Sequence, residues 1–437
     1  MTKYLSFLFG VLLVITLTKS SFANEINAAL AAKAVSANSN VSATAIAELR
    51  SLGPEGLQTL LDVNIQQINQ YLANPTLAVT PEWLRLTAAL DAVSQQRNSY
   101  LSGLYWYTDI SEAQKASVAS GKPILSLRLL GKLTDELSCA NSRFFRTVLY
   151  SNDEVASALR DRFILHWEPV RPAPVITIDF GDGRKLVRTI TGNSIHYILD
   201  SNGHLIDGLP GLYGPRAFMR GLDEAETIFK RIRDAKAEQK AGLLAKYYRS
   251  RIDRISVDWL NDVKKIGGKE PEGVLIERDH NGNALAVAPL AVSKAMTERT
   301  MLRAMMYVSE ELGRTTGEEA WKRIAALHID DARLDQRSIG LIKRQTQDLP
   351  DANKSLSRLV QAFQDSVALD TVRNEYRLHM KLYSWLVVDR RRTDLAALNE
   401  KVYAELFVTP RSDPWLGLLQ GDTYTGLDNA GVVKVSQ

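Results

Sequence analysis

Apolar and polar positions follow three successive textures along this chain, and each predicts a different kind of structure. Between residues 24 and 100, Ala45, Ile46, Leu49 and Leu52 recur at helical spacing until Gly53-Pro54 breaks the run. Leu57, Leu60, Leu61, Ile65, Ile68 and Leu72 continue as a second apolar stripe. A third helix is predicted from Thr80, with Pro81 in the first turn, where its missing N–H costs nothing. The stretch 24–100 therefore reads as a helical N-terminal region.

From 101 to 232, short apolar runs separated by turn residues predict alternating strands and helices. Leu104-Tyr105-Trp106-Tyr107 reads as a short aromatic strand, and Ser111-Glu112-Ala113-Gln114 as a capping box for a helix that stops at Gly121. Residues 123–130 barely alternate, as expected of a strand covered on both faces. A helix follows Cys139, Ser151-Asn152-Asp153-Glu154 caps another, and 163–167 is the next strand. Asp182-Gly183 and Asn202-Gly203, each between apolar runs, predict two hairpins, and 222–248 predicts one long closing helix. The remainder, 233–437, reads as a helical C-terminal domain, with a cap at Thr316 (Glu319 three residues on) and a stripe of Val372, Tyr376, His379, Tyr383 and Leu386. A second stripe covers 395–407, and Trp415 and Tyr424 predict a tail docked on the helices. No internal repeat of fixed period is present.

Composition narrows the function. With 45% hydrophobic and 24% charged residues, the 437-residue chain is an ordinary folded protein of two or three domains. The net charge of +4 is spread without long blocks. Arg390-Arg391-Arg392 lies between Asp389 and Asp394 and reads as a solvated helix end, so no nucleic-acid partner is expected. At the N-terminus, Lys3 precedes the apolar stretch 4–18, and Ser21-Phe22-Ala23 offers small residues for cleavage. Residues 1–23 thus read as a signal peptide, shorter than the roughly 20 apolar residues a spanning helix needs. The expectation is a periplasmic or secreted protein, with no stable membrane insertion after cleavage.

One cysteine excludes an internal disulfide, a Cys-rich zinc or iron–sulfur site and a haem attachment. No phosphate loop or Gly-x-Ser-x-Gly elbow occurs, so neither cofactor nor serine hydrolysis is expected. The six histidines form no metal-binding pair, and no metal is predicted. His196 reads as a strand histidine and Glu375/His379 as a structural contact one helical turn apart. Asp200-Ser201-Asn202-Gly203 and Asp279-His280-Asn281-Gly282 read as turns rather than calcium loops. The remaining chemistry is that of Cys139. A thiol at a helix N-terminus faces unpaired N–H groups, which favour the nucleophilic thiolate. Ser142, three residues on, is placed to hydrogen-bond the sulfur, and Lys132 and Arg143 are nearby cations in sequence.

The order of these features resembles the thioredoxin fold: Trp106 on a strand, a helix ending in Gly121-Lys122-Pro123-Ile124-Leu125, a cysteine at a helix start, 151–155 leading into a strand, and an antiparallel pair across Asp200–Gly203 before a terminal helix. The resemblance implies an α/β thioredoxin-like domain at 101–232, a central mixed sheet with helices on both faces, flanked by all-helical regions. It implies Cys139 and Ser142 as catalytic residues, with Asn141, Arg143, Asn193 and Ser194 around the substrate. Two departures stand out. Cys139-Ala140-Asn141-Ser142 is similar to the Cys-x-x-Ser of monothiol glutaredoxin-like proteins, lacking the resolving thiol. Thr191-Gly192-Asn193-Ser194 occupies the place where thioredoxins carry a cis-proline, and 172–190 looks like an inserted hairpin. Two readings follow: a non-enzymatic scaffold that docks exported proteins, or a monothiol exchange protein acting on exported proteins or small thiols.

Overall fold

A computed structural model describes residues 25–189, 192–268, 312–313, 316–347, 352–388, 394–415, 419 and 426–433. The expected signal peptide, the arginine run 390–392, Asp279–Gly282, Thr191 and Tyr424 lie outside the described residues. The protein is mixed α/β, dominated by helices, with one five-stranded mixed sheet.

The N-terminal helices α1 (25–34), α2 (Ser39–Ser51), α3 (Pro54–Val63), α4 (Ile65–Ala73) and α5 (Pro81–Ser94) form where the apolar stripes predict them. Thr80 caps α5 by accepting the Trp83 N–H at 3.2 Å, one turn past Pro81. These helices close a core of their own around Leu49, Leu57, Leu60, Trp83, Leu86 and Leu90. Trp83 is stacked on Tyr71 with ring centres 3.8 Å apart. Arg50 ties this core to the sheet, donating to the Val93 carbonyl at 2.8 Å and the Trp106 carbonyl at 2.5 Å, with its guanidinium over the Tyr105 ring.

The sheet runs β1 (Trp106–Tyr107), β3 (Ile164–Arg171), β2 (Ile124–Leu130), β6 (Ser194–Leu199), β7 (Leu205–Pro210). The first three strands are parallel, and β6 and β7 are antiparallel additions, with Leu129 opposite Ser194 and Ile195 opposite Pro210. Every residue of β6 and β7 is buried, which explains their weak alternation. Between β3 and β6 the chain leaves the sheet as the hairpin β4 (Val175–Asp179) and β5 (Lys185–Thr189), turning at Asp182-Gly183. Helices α7 (Ile110–Ser120), α9 (Asp153–Arg162) and α10 (Pro215–Arg233) pack on the sheet. A short helix, α6 (Ser99–Ser102), precedes β1, and α8 (Ala140–Phe144) follows β2 and widens into a π-helical turn at Phe145–Leu149.

Three boundary expectations are corrected. The cap of α7 is Asp109 rather than Ser111; its carboxylate accepts both the Ser111 N–H at 2.7 Å and the Ser111 hydroxyl at 2.6 Å. Thr316 does not cap the helix Glu318–Leu327, because its hydroxyl bonds back to the Leu312 carbonyl at 2.6 Å. The single helix expected at 222–248 is two, α10 and α11 (Ala237–Lys265), broken where Lys236 is extended. By contrast Asn152 caps α9 as expected, accepting the Val155 N–H at 3.1 Å. Replacing Asn152 with alanine is expected to cost about 1 kcal/mol in a urea denaturation, and a change near zero would show the cap to be redundant.

The later helices are α12 (Glu318–Leu327), α13 (Gln336–Thr346), α14 (Ala352–Arg373), α15 (Met380–Val388) and α16 (Leu395–Lys401), with π-helical turns at Asn374–His379 and Val402–Leu406. The expected boundary at residue 232 separates two textures of sequence, but the buried side chains on both sides belong to one core, running from Leu104 to Leu406. Gly208 on β7 lets Leu382 come close; a Cβ there would lie 3.1 Å from the leucine side chain. Helix α13 bridges to the N-terminal unit: Arg344 donates to the Tyr71 carbonyl at 2.7 Å and lies over the Tyr71 ring. Trp415, expected to dock, is 47% exposed.

Candidate functional site

The site begins where β2 ends. Gly131, at φ +74, turns the chain out of the strand, and the loop returns so that the Cys139 N–H bonds the Leu130 carbonyl at 3.1 Å. Cys139 is the N-cap of α8, with the extended φ, ψ of −57° and 157°. On the neighbouring strand, Ser194 pairs with Leu129, which puts Asn193 at the same end of the sheet. The Cys139 Sγ lies 3.7 Å from the Asn193 carbonyl oxygen. Close approach is helped by Gly192, where a Cβ would sit 2.8 Å from Asn141 Oδ1. The structure thus brings Cys139, Asn141, Asn193 and Ser194 together from segments separated in sequence.

Ser142 does not serve the sulfur. Its hydroxyl meets Ser138 Oγ at 2.6 Å and donates to the Cys139 carbonyl at 2.9 Å, and the residue is fully buried. A serine in a first helical turn can satisfy itself on a backbone carbonyl three residues back, which is what happens here. Arg143 is half-buried, and among the described residues neither its Nε nor the buried Ser194 hydroxyl has a hydrogen-bond partner.

The thiol is 0% exposed. Its cover comes from the far end of the chain. Tyr403, in the π-helical turn after α16, donates its hydroxyl to the same Asn193 carbonyl at 3.2 Å. The Asn193 amide donates to Thr409 Oγ1 at 3.0 Å, and Arg171 at the end of β3 holds the Thr409 carbonyl at 2.7 Å and that of Pro410 at 3.4 Å. Tyr197 adds a bond to Asn399 at 3.3 Å. Residues 395–410 therefore form an arm fastened across the end of the sheet. Burial, and next the proximity of Cys139, push the phenols of Tyr403 and Tyr150 well above their ordinary range. Beneath the sheet Tyr150 pairs with His196 at 2.7 Å; burial pushes that imidazole down to about 3, so it is neutral and serves the packing. His196 is fully buried, a stronger form of the strand histidine expected from sequence.

Sequence spacing found the cysteine, its helix start and Asn193. It missed Tyr403, Thr409 and Arg171, because no local pattern announces which distant segment will close over a strand end. The Glu375/His379 contact is present, with Nδ1 3.0 Å from Oε2, but it is part of a larger buried network that also includes Asp207, Arg251, Tyr247 and Tyr383. Among the described residues no group of three or more His, Cys, Asp or Glu side chains is placed to hold a metal ion, and no helix is long and apolar enough to cross a membrane. No protein-family model, curated protein or solved structure matches the chain.

Proposed function

We propose that this is an exported protein whose sheet region is thioredoxin-like and works as a non-enzymatic docking scaffold for other exported proteins. The observation that carries the reading is the state of the thiol: Cys139 is wholly enclosed under Tyr403, and the Ser142 hydroxyl is committed elsewhere. A thiol exchanges disulfides only as an accessible thiolate, and a lone thiol has no resolving partner. The fold assignment is supported by the strand order, three parallel strands followed by two antiparallel ones with the cysteine at the end of the second, the β4–β5 hairpin being an insertion. Export is supported by the apolar stretch 4–18 followed by Ser21-Phe22-Ala23.

The alternative, monothiol exchange, draws on the placement of Cys139 at a helix start beside Asn193. Non-reducing gels of complexes captured in cells by the wild type and by Cys139→Ala separate the two. The scaffold reading expects the same partners from both proteins, with capture surviving reducing agent. Covalent adducts that appear with the wild type and vanish in Cys139→Ala would establish exchange chemistry instead.

A further inference from the structure

Away from the enclosed thiol, α10 and α11 stand apart from the 328–331 turn and the 371–376 segment and leave a cleft of about 250 Å³. A second hollow of about 340 Å³ lies between the same two helices, and the two meet at Glu224, Arg251 and Arg254. None of the lining residues belongs to the Cys139 enclosure.

Most of the charge in this groove is already matched. Arg220 grips Asp331 through two bonds of 2.6 Å; Arg251 bridges Glu224 and Glu375; Lys265 holds Asp262 at 3.0 Å; Asp223 pairs with Arg162 at 2.7 Å. Three charges make no direct contact. Among the described residues Arg231, Arg254 and Asp258 form no hydrogen bond or ion pair, although Arg254 and Asp258 sit one turn apart on α11. Arg231 and Arg254 line the larger hollow, and Arg254 and Asp258 the smaller. Partial desolvation raises the Asp258 carboxyl, and the guanidinium of Arg254 one turn away pulls it back only in part.

We propose that this groove binds a small zwitterion of the α-amino-acid type, its carboxylate held by Arg254 and Arg231 and its ammonium by Asp258. Size limits the ligand, since the two hollows, about 250 and 340 Å³, lie at the lower end of the roughly 300–1,000 Å³ of drug-sized pockets. Sign limits it further. A dianion would meet Asp258 together with Glu224, Glu375, Asp262 and Asp331, and a simple cation would meet the guanidiniums of Arg231 and Arg254. A planar guanidinium fork is suited to a carboxylate, and an exposed aspartate to an ammonium. This inference is independent of the reading of Cys139.

The test uses the mature chain in thermal-shift and calorimetric titrations with the common L-amino acids, each at about 10 mM, where a bound ligand raises the midpoint by about 2 °C or more. At least one amino acid should do so, and its N-acetyl and methyl-ester forms, each lacking one charge, should bind at least tenfold more weakly. Arg254→Ala and Asp258→Asn should each weaken the free amino acid at least tenfold, and Asp258→Asn should bind the N-acetyl form no worse than wild type. Both positions are exposed, so folding is checked simply by circular dichroism. Lys246→Ala, exposed on α11 outside both hollows, should bind as wild type. No midpoint shift beyond a sodium chloride control for any amino acid overturns the proposal, as does undiminished binding by Arg254→Ala and Asp258→Asn.

Discussion

Replacing His379 with alanine is expected to destabilise the protein by about 3–5 kcal/mol near pH 6, the range for removing one member of a buried ion-pair network. The imidazole is 1% exposed and stacked on Tyr383 with ring centres 4.2 Å apart. Its Nδ1 lies 3.0 Å from Glu375 and its Nε2 3.8 Å from Asp207. Asp207 also accepts from the Tyr247 hydroxyl at 2.5 Å and the Tyr383 hydroxyl at 3.4 Å, and Glu375 accepts from Arg251 at 3.1 Å. The network joins β7, α10, α11, α14's π-helical extension and α15, so it clamps the C-terminal helices onto the sheet edge. Without the imidazolium, the Asp207 carboxylate remains buried with hydroxyl partners but no cation in contact. Chemical denaturation of wild type and variant measures the difference, and a loss under about 1 kcal/mol would show that water or a neighbour repairs the gap.

The same network sets a pH window. Burial alone would lower the His379 pKa, but the charges of Glu375 and Asp207 outweigh it and push it up to about 9. Against an unfolded value near 6.5, this contributes about 3 kcal/mol, fully present below pH 6.5 and lost as pH rises through about 9. Glu375 has the opposite sign: burial would raise it, but His379 and Arg251 hold it at about 2, so its contribution is present above about pH 4.5 and fades as pH falls through 2. His166 and His196 act separately. Burial pushes both down to about 3, so they cost stability as pH falls from 6.5. The gap between wild type and His379→Ala should therefore be flat between about pH 5 and 6.5 and narrow towards pH 9. A gap that stays constant to pH 9 would mean that His379 is not charged in the folded state.

What the sequence made legible was whatever is written locally. Both hairpins, the α9 cap at Asn152 and the Gly121 stop of α7 rest on turn and cap residues whose effect depends on a few neighbours. The break between α10 and α11 was invisible because Ile228, Phe229, Ile232, Leu244 and Tyr248 keep an apolar rhythm across it and no glycine or proline marks it. The chain turns there because both helices bury their stripes in the one core, a tertiary reason. Within the candidate site, Cys139 and Asn193 followed from strand and helix order. Ser142 was misread because i, i+3 spacing fixes a shared face but leaves the hydroxyl free to choose a backbone carbonyl. The enclosure of the thiol was beyond local reading altogether, since Tyr403 and Thr409 reach it from the far end of the chain.

That enclosure yields the second large expected effect. In the wild type, iodoacetamide should reach Cys139 only when the 395–410 arm opens, so alkylation should be slow and accelerate with mild denaturant. Tyr403 is 2% exposed, and truncating a buried aromatic to alanine costs about 3–5 kcal/mol. If even about 3 kcal/mol of that loss falls on the closed state of the arm, the open fraction, and with it the alkylation rate, rises by about 10²-fold. Arg171→Ala removes the hydrogen bonds to the Thr409 and Pro410 carbonyls and should give about a tenfold increase, at about 1–2 kcal/mol for bonds to a charged group. The order of rates, Tyr403→Ala above Arg171→Ala above wild type, distinguishes an arm that gates the thiol from a core that breathes as a whole. In the latter case the rates would track global stability, and His379→Ala, which leaves every arm contact in place, would alkylate as fast as Tyr403→Ala. Rates in the stated order with His379→Ala near wild type identify the arm as the barrier, and a wild type that alkylates at once would show that no such barrier exists.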